Sequence, residues 1–189
     1  MVEAMDVTSY LEQTKSPDTR AANYHELVKE YYDSVTFFYW KGWGEHFHFA
    51  PFSGSEPLDR ALKVQQRLLA REAGIAPGMK VLDVGCGIGG PTRSIARMSG
   101  ARITGVTISP AQVKAAQELT WKQKLQDRCQ VILGDAMDLD FKDDAFDVVY
   151  MIESACHMPD KRAFFRECAR VLKPGGKLAG WDWIRTAKP

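Results

Sequence analysis

Cysteine is scarce in this 189-residue chain and poorly spaced for chemistry. Cys86, Cys129, Cys156 and Cys168 form no C-x-x-C pair, so neither a zinc site nor a disulfide framework is indicated and reduced thiols are expected. Charge of one sign is also missing: 25 Lys and Arg face 24 Asp and Glu, a net charge of +1. A domain that grips nucleic acid or an anionic membrane carries a basic surplus, so no nucleic-acid partner is expected. No segment approaches the roughly 20 apolar residues of a membrane span. The polar N-terminus, MVEAMDVTSYLEQTKSPDTR, has no apolar signal core. The expectation is a cytoplasmic protein without integral membrane association. Repeats and low-complexity tracts are absent too. What is present is an ordinary globular composition, 45% hydrophobic and 26% charged, at a length that fits one domain.

Residues 1–18 read as a loose arm and residues 19–75 as a helical and aromatic lid segment. A helix is predicted from about Thr19 to Asp33, capped by Asp18. Residues 31–52, YYDSVTFFYWKGWGEHFHFAPF, hold ten Phe, Tyr or Trp in 22 positions, and their glycines and Pro51 argue against one long helix. A further helix opens near Ser55 and Pro57, carries the stripe Leu58, Ala61, Leu62, Leu68 and Leu69, and stops at Gly74. Residues 76–189 form the second unit, in which short apolar strands alternate with helices. The strands are MKVLDV, ARITGVT, CQVILGD, FDVVYMI and KLAGWDW. The helices are GGPTRSIARMSG, PAQVKAAQELTWKQ behind Ser109, and KRAFFRECARVL closed by LKPGG. This alternation predicts an α/β fold: a Rossmann-like open, mostly parallel twisted sheet with helices on both faces. Ligands of such sheets bind at the carboxyl ends of the strands.

The strand VLDV runs into Gly85-Cys86-Gly87-Ile88-Gly89-Gly90 and then a helix. Glycines there allow a tight turn and close backbone approach, with helix amides aimed at a ligand. Gly85, Gly87 and Gly90 also satisfy the dinucleotide pattern G-x-G-x-x-G, which expects an acidic residue at the end of the second strand. That strand ends Val106-Thr107-Ile108-Ser109, so the acid is missing and a nicotinamide cofactor is disfavoured.

Asp83 stands two residues before the first glycine. Gly134-Asp135-Ala136 follows the third strand, and Phe146-Asp147-Val148-Val149-Tyr150 and Leu172-Lys173-Pro174-Gly175-Gly176 come at matching distances. This ordered set resembles the class I methyltransferases that use S-adenosylmethionine, over about residues 79–184. The resemblance implies that Asp83, Gly85, Cys86, Gly87 and Gly89 line the methionine part of the donor. It implies that Asp135 and Ala136 meet the adenine. Many members place an acid at the ribose turn. Here Thr107, Ser109 and Gln112 form a T-x-S-x-x-Q turn, similar to that of cyclopropane synthases and tocopherol methyltransferases, with Thr107 and Gln112 as polar contacts. Ser109 is either a further contact or simply a helix cap.

Tyr39 to Phe49, YWKGWGEHFHF, resembles the aromatic signature upstream of the donor loop in sterol C-methyltransferases, and Met151 to Pro159 and Trp181-Asp182-Trp183 resemble further segments of those enzymes. The implied acceptor is a small hydrophobic molecule, a sterol, terpenoid or related lipid, methylated at an alkene carbon. Tyr39, Trp43, Gly44, Glu45 and Phe47 would form an acceptor-side lid whose aromatic faces stabilise a cation, or one that only packs. Tyr150, Glu153 and His157 are the catalytic candidates, for electrostatic stabilisation and proton removal. Glu153 serves equally as an orienter of backbone amides. His46-x-His48 lacks a third ligand in register and reads as packing, so no metal is expected. The ribose turn departs from the Asn-rich turn usual in sterol enzymes, so a terpenoid or other natural product fits as well as a sterol.

Relatives of this kind continue beyond the fifth strand to a seven-stranded sheet. No candidate for strands 6 and 7 is present, and KLAGWDW would stand as a bare apolar edge. A C-terminally incomplete sequence is expected, ahead of a partner-dependent chain, a homo-oligomer or a naturally short enzyme. Two other readings stay open: a small-molecule O- or N-methyltransferase, and a non-catalytic donor-binding subunit.

Overall fold

A computed structural model describes residues 7–52 and 54–184. Four helices come first: α1 (Val7–Gln13), α2 (Pro17–Ala22), α3 (Tyr24–Trp43) and α4 (Leu58–Ala73). The expected loose arm is thus helical from residue 7, residues 1–6 lying outside the described residues. Ser16, not Asp18, caps α2. Its hydroxyl accepts from the Thr19 N–H while the Thr19 hydroxyl accepts from the Ser16 N–H, each at 3.1 Å.

The aromatic segment does not break the helix that precedes it. α3 runs through it to Trp43 and ends on Gly44 at φ 93°. Gly42 falls in the final turn, where a glycine costs no more than about 1 kcal/mol, and Pro51 lies beyond the helix end. For α4 the expected Ser55 cap is also displaced. Pro57 occupies the cap position without a side-chain bond, and Gly74 ends the helix in the left-handed region.

The sheet has five parallel strands among the described residues. They are β1 (Lys80–Val84), β2 (Arg102–Thr107), β3 (Cys129–Leu133), β4 (Phe146–Ile152) and β5 (Leu172–Trp181), in the spatial order β3-β2-β1-β4-β5. Between them lie α5 (Gly90–Ser99), α6 (Pro110–Lys122) and α7 (Lys161–Val171). Alternation along the strands builds two cores. Val81, Ile103, Val148 and Tyr150 pack with Leu69, Ala70 and Ala73 of α4 and Ile95 of α5 on one face. Leu82, Val84, Val149 and Met151 pack with Phe164, Cys168 and Val171 of α7 on the other. The boundary expected at residue 76 therefore falls within one core, because α4 packs against the sheet.

LKPGG is not a helix terminator but the start of β5. Pairing steps from Phe146–Leu172 to Val148–Lys177, and the residues between bulge out of the ladder. At the sheet edge Leu178 and Trp181 are exposed. No helix among the described residues is long and apolar enough to cross a membrane.

Candidate functional site

An inner cavity opens where β1, β2 and β4 end. Asp83, the penultimate residue of β1, is buried there. Its Oδ2 accepts from the Thr92 hydroxyl at 2.6 Å and from the Tyr150 hydroxyl at 2.8 Å. Burial pushes its carboxyl up to about 6, against the opposing pull of those two bonds. Gly85, Cys86 and Gly87 line the cavity beside it. A Cβ on Gly85 would collide with Ser154 from the end of β4, so the loop and strand approach closely only with glycine here. Gly89 does not share their role. It caps α5 at φ 73°, and a Cβ there would meet Arg93, Val131 and Ala116, away from the cavity.

At the end of β2 the Thr107 hydroxyl donates to Gln112 Oε1 at 2.5 Å, and both side chains line the cavity. The Gln112 amide nitrogen faces Gly87 and makes no hydrogen bond among the described residues. Ser109 is a cap rather than a contact. It is fully buried, accepts from the Gln112 N–H at 3.1 Å at the start of α6, and donates to the Asp33 carboxylate of α3. Gly134 and Ala136 line the cavity, while Asp135 Oδ1 accepts from the Met137 N–H at 2.8 Å and from the Tyr24 hydroxyl. The carboxylate expected at an adenine thus holds the first residue of α3. Tyr24 and Tyr32 roof the inner cavity and leave about 80 Å³ of free space.

An outer cavity of about 550 Å³ adjoins it and shares Tyr24, Tyr32, Phe47, His48, Glu153 and His157. Its other walls are largely aromatic. Tyr39 packs edge-on to Phe47 with centroids 5.6 Å apart, and Trp43 packs edge-on to Phe49 at 4.8 Å. Of the five residues expected in a lid, Tyr39, Trp43 and Phe47 line the outer cavity. Gly44 and Glu45 do not, because the chain turns away at Gly44. Glu45 Oε2 accepts from buried Arg93 at 2.8 Å and from Gln123 at 2.9 Å, outside both cavities.

Glu153 and His157 reach the junction of the two cavities. Glu153 sits at φ 53°, and its carboxylate accepts from the Phe49 N–H at 2.9 Å and the Trp183 Nε1–H at 3.1 Å. Burial raises its pKa. His157, in a short 3₁₀ turn (Ala155–His157), pairs its Nε2 with the Tyr32 hydroxyl at 2.8 Å, and burial lowers its pKa. Tyr150 is elsewhere. It is fully buried, lines neither cavity and holds Asp83 from behind, so its placement is that of a positioning residue. His46 and His48 both meet one amide: Gln66 Nε2 donates to His46 Nδ1 at 3.0 Å and to His48 Nε2 at 2.8 Å. His48 Nδ1 donates to the Phe49 carbonyl at 2.8 Å. Burial holds His46 at about 4.

The methyltransferase domain family matches residues 82–180, which carry β1, the glycine loop and everything through β5. The chain belongs to that family. As a methyltransferase-family chain it is 44% identical over 169 residues to cycloartenol-C-24-methyltransferase of Arabidopsis thaliana, covering 89% of this chain and 50% of that protein. It is 41% identical over 177 residues to sterol 24-C-methyltransferase ERG6A of Gibberella zeae, covering 92% and 46%. The chain thus spans about half the length of the curated relatives it matches. Among solved structures it superposes on the [4+2]-cyclase SpnF with a TM-score of 0.79 at 32% identity, covering 82% of this chain and 59% of that one.

Of the cavity-lining residues of α3, sequence reasoning named Tyr39 and Trp43 and missed the rest. Tyr24, Val28, Tyr31, Tyr32 and Tyr39 lie within one helical stripe, and all five line the outer cavity. The 3.6-residue period through the aromatic segment was the available signal. Treating Gly42 as a breaker hid it.

Proposed function

We propose that this chain carries the donor site and one wall of the acceptor site of an S-adenosylmethionine-dependent methyltransferase acting on an alkene carbon of a sterol or terpenoid. The observation that carries this reading is the junction: a glycine-lined cavity at the strand ends, with the Asp83 carboxylate, Thr107 and Gln112 in its wall, meets an aromatic cavity at Tyr32, Glu153 and His157. The residues present suit the donor. Asp83 offers a buried carboxylate, Gly85 and Gly87 a side-chain-free floor, and Gln112 an unengaged amide nitrogen. When bound, the donor supplies an electrophilic methyl group on a sulfonium. The chain's own contribution is to hold the reactants in line and to keep water out. Tyr39, Trp43, Phe47 and Phe49 present aromatic faces to the cation that an alkene becomes, each worth up to about 2 kcal/mol when desolvated. The Glu153 carboxylate adds negative charge at the junction and fixes Phe49 and Trp183 in place. No metal is assigned a role. The exposed edge of β5 suits a further segment or a partner, and a size measurement addresses this.

Calorimetry with S-adenosylhomocysteine, on the parent and on Asp83→Ala, tests the donor site. Labelled-methyl transfer to a panel of sterols and terpenoids, with the product methyl located by NMR, tests the acceptor. A methyl found on oxygen or nitrogen would replace the carbon reading. The likeness to a [4+2]-cyclase favours one other reading, in which the aromatic cavity acts on a hydrophobic molecule without methyl transfer. Conversion of an acceptor with no label incorporated would establish it.

A further inference from the structure

Tyr32 sits two turns into α3, lines both cavities, and points its hydroxyl at His157 from the opposite wall of the junction. The two rings meet edge-on, 5.4 Å between centroids at 86°. Neither Tyr31 nor Tyr39 reaches this position, since their hydroxyls pair with each other at 2.6 Å. The Tyr32 hydroxyl has no second hydrogen-bond partner among the described residues. In the tautomer that carries its proton on Nδ1, the imidazole presents Nε2 as an acceptor and the Tyr32 hydroxyl donates to it. The phenol oxygen lone pairs are then left for the cavity.

We infer that Tyr32 is a catalytic residue, its hydroxyl oxygen taking the proton that the acceptor loses while its own proton passes to His157 Nε2. The electrons balance without an added reagent. The alkene π pair forms the bond to the methyl carbon as the carbon–sulfur pair stays on sulfur. The adjacent C–H pair then re-forms a double bond, and the released proton is exchanged through Tyr32 onto the imidazole, which becomes imidazolium. His157 acts through Tyr32 and is a positioning residue. Burial keeps the imidazole neutral and the phenol protonated near neutral pH, which are the starting states that this relay needs. The charged and titratable groups around the pair are Glu153 and Cys156 after β4, Lys161 at the start of α7, Asp182 after β5, and Tyr31 and Tyr39 on α3. Burial, the largest influence, disfavours the imidazolium, Asp182 favours it and Lys161 opposes it.

The inference rests on the methyltransferase reading but not on the acceptor atom, because an O–H or N–H acceptor sheds a proton at the same place. The test compares the parent, Tyr32→Phe and His157→Gln for S-adenosylhomocysteine binding and for single-turnover methyl transfer to an acceptor deuterated where the proton is lost. Tyr32→Phe is expected to bind S-adenosylhomocysteine within about twofold of the parent, yet to lose about 100-fold in rate, the lower end of general acid–base effects. A deuterium isotope effect should appear that the parent does not express. His157→Gln should follow it. Nitrogen NMR on the unliganded parent should find the His157 proton on Nδ1 and a hydrogen-bonded Nε2. Unchanged turnover in Tyr32→Phe, or a proton on Nε2 in the parent, overturns the relay while leaving the methyltransferase reading intact. A loss of rate that tracks lost binding, without an isotope effect, also overturns it. A parent that transfers no methyl to any acceptor overturns both.

Discussion

The Tyr24 hydroxyl donates to the Asp135 carboxylate, joining the first residue of α3 to the loop after β3. Asp135 is the carboxylate that the family resemblance implies for an adenine amino group, and on that reading the helix stands where the nucleoside would. The 80 Å³ left beneath Tyr24 and Tyr32 is far below the few hundred Å³ that small-molecule sites usually offer. On the proposed reading, the donor is expected to displace the N-terminal end of α3 from Asp135. Tyr24→Phe removes the competing donor but keeps the ring. S-adenosylhomocysteine should bind this variant several-fold more tightly, since a hydrogen bond to a charged group is worth about 1.5–3 kcal/mol before solvent compensates. Weaker binding in calorimetry would mean that Tyr24 supports the donor instead of displacing it.

The elevated pKa of Asp83 makes stability and binding pull in opposite directions with pH. Its ordinary value is 3.8, and burial raises it to about 6 in the folded chain. The folded state thus holds this proton more tightly than the unfolded chain, and the stability so gained, full below about pH 4, is lost as pH rises through 6. Asp83→Asn escapes that loss. It should be about 1–3 kcal/mol more stable than the parent at pH 8 and no more stable at pH 4, at 1.36 kcal/mol per pKa unit. S-adenosylhomocysteine affinity should drop about tenfold or more in the variant, and in the parent as pH falls below about 6. Thermal melts at the two pH values, paired with calorimetry, measure both halves.

Chain-local features made the sheet legible. Short apolar strands such as Phe146 to Ile152, a cap such as Ser109 and a stop such as Gly100 each act through neighbours a few residues away. Asp83, Gly85, Gly87, Thr107 and Gln112 were singled out by the family resemblance, and the strand ends bring them to one cavity. What escaped depends on distant partners. Glu45 pairs with Arg93 48 positions on, and Ser109 meets Asp33 76 positions back. Tyr150 lies on the core face of β4 although its neighbour Ile152 leads to the site. Nothing in a strand pattern shows that its hydroxyl ends on Asp83. The T-x-S-x-x-Q turn illustrates the division: Thr107 and Gln112 proved to line the cavity, while the serine between them turned inward to hold a helix.

Ser109 separates a helix cap from a donor contact by experiment. Ser109→Ala removes the acceptor for the Gln112 N–H and the donor to Asp33, and should cost about 1–2 kcal/mol, the usual value of a lost cap. Because Ser109 does not line the inner cavity, S-adenosylhomocysteine affinity should stay within about threefold, a difference well under the 1.4 kcal/mol of a tenfold change. Thr107→Ala and Gln112→Ala, at cavity-lining positions, should show the reverse pattern. Urea unfolding and calorimetry on the three variants decide the assignment; a large affinity loss in Ser109→Ala with little loss of stability would restore it as a contact.

Glu45 lies in the aromatic signature but works as an anchor. Its partner Arg93 is 1% exposed, while Glu45 itself is 30% exposed. Arg93 also donates to the Ile88 carbonyl at 2.7 Å, so the guanidinium is committed to its buried place by the glycine loop as well as by the ion pair. Glu45→Ala leaves that charge uncompensated in the interior. The expected cost is about 3 kcal/mol, the low end for breaking a buried pair because solvent reaches the carboxylate. Glu45→Gln keeps an acceptor and should cost less. Replacing both partners, Glu45→Leu with Arg93→Met, should recover part of the loss, because the buried charge goes with its partner. Acceptor preference should not change in Glu45→Gln, whose side chain touches neither cavity. A shift in the products of that variant would move Glu45 back to the acceptor side, where its place in the aromatic segment first suggested it belonged.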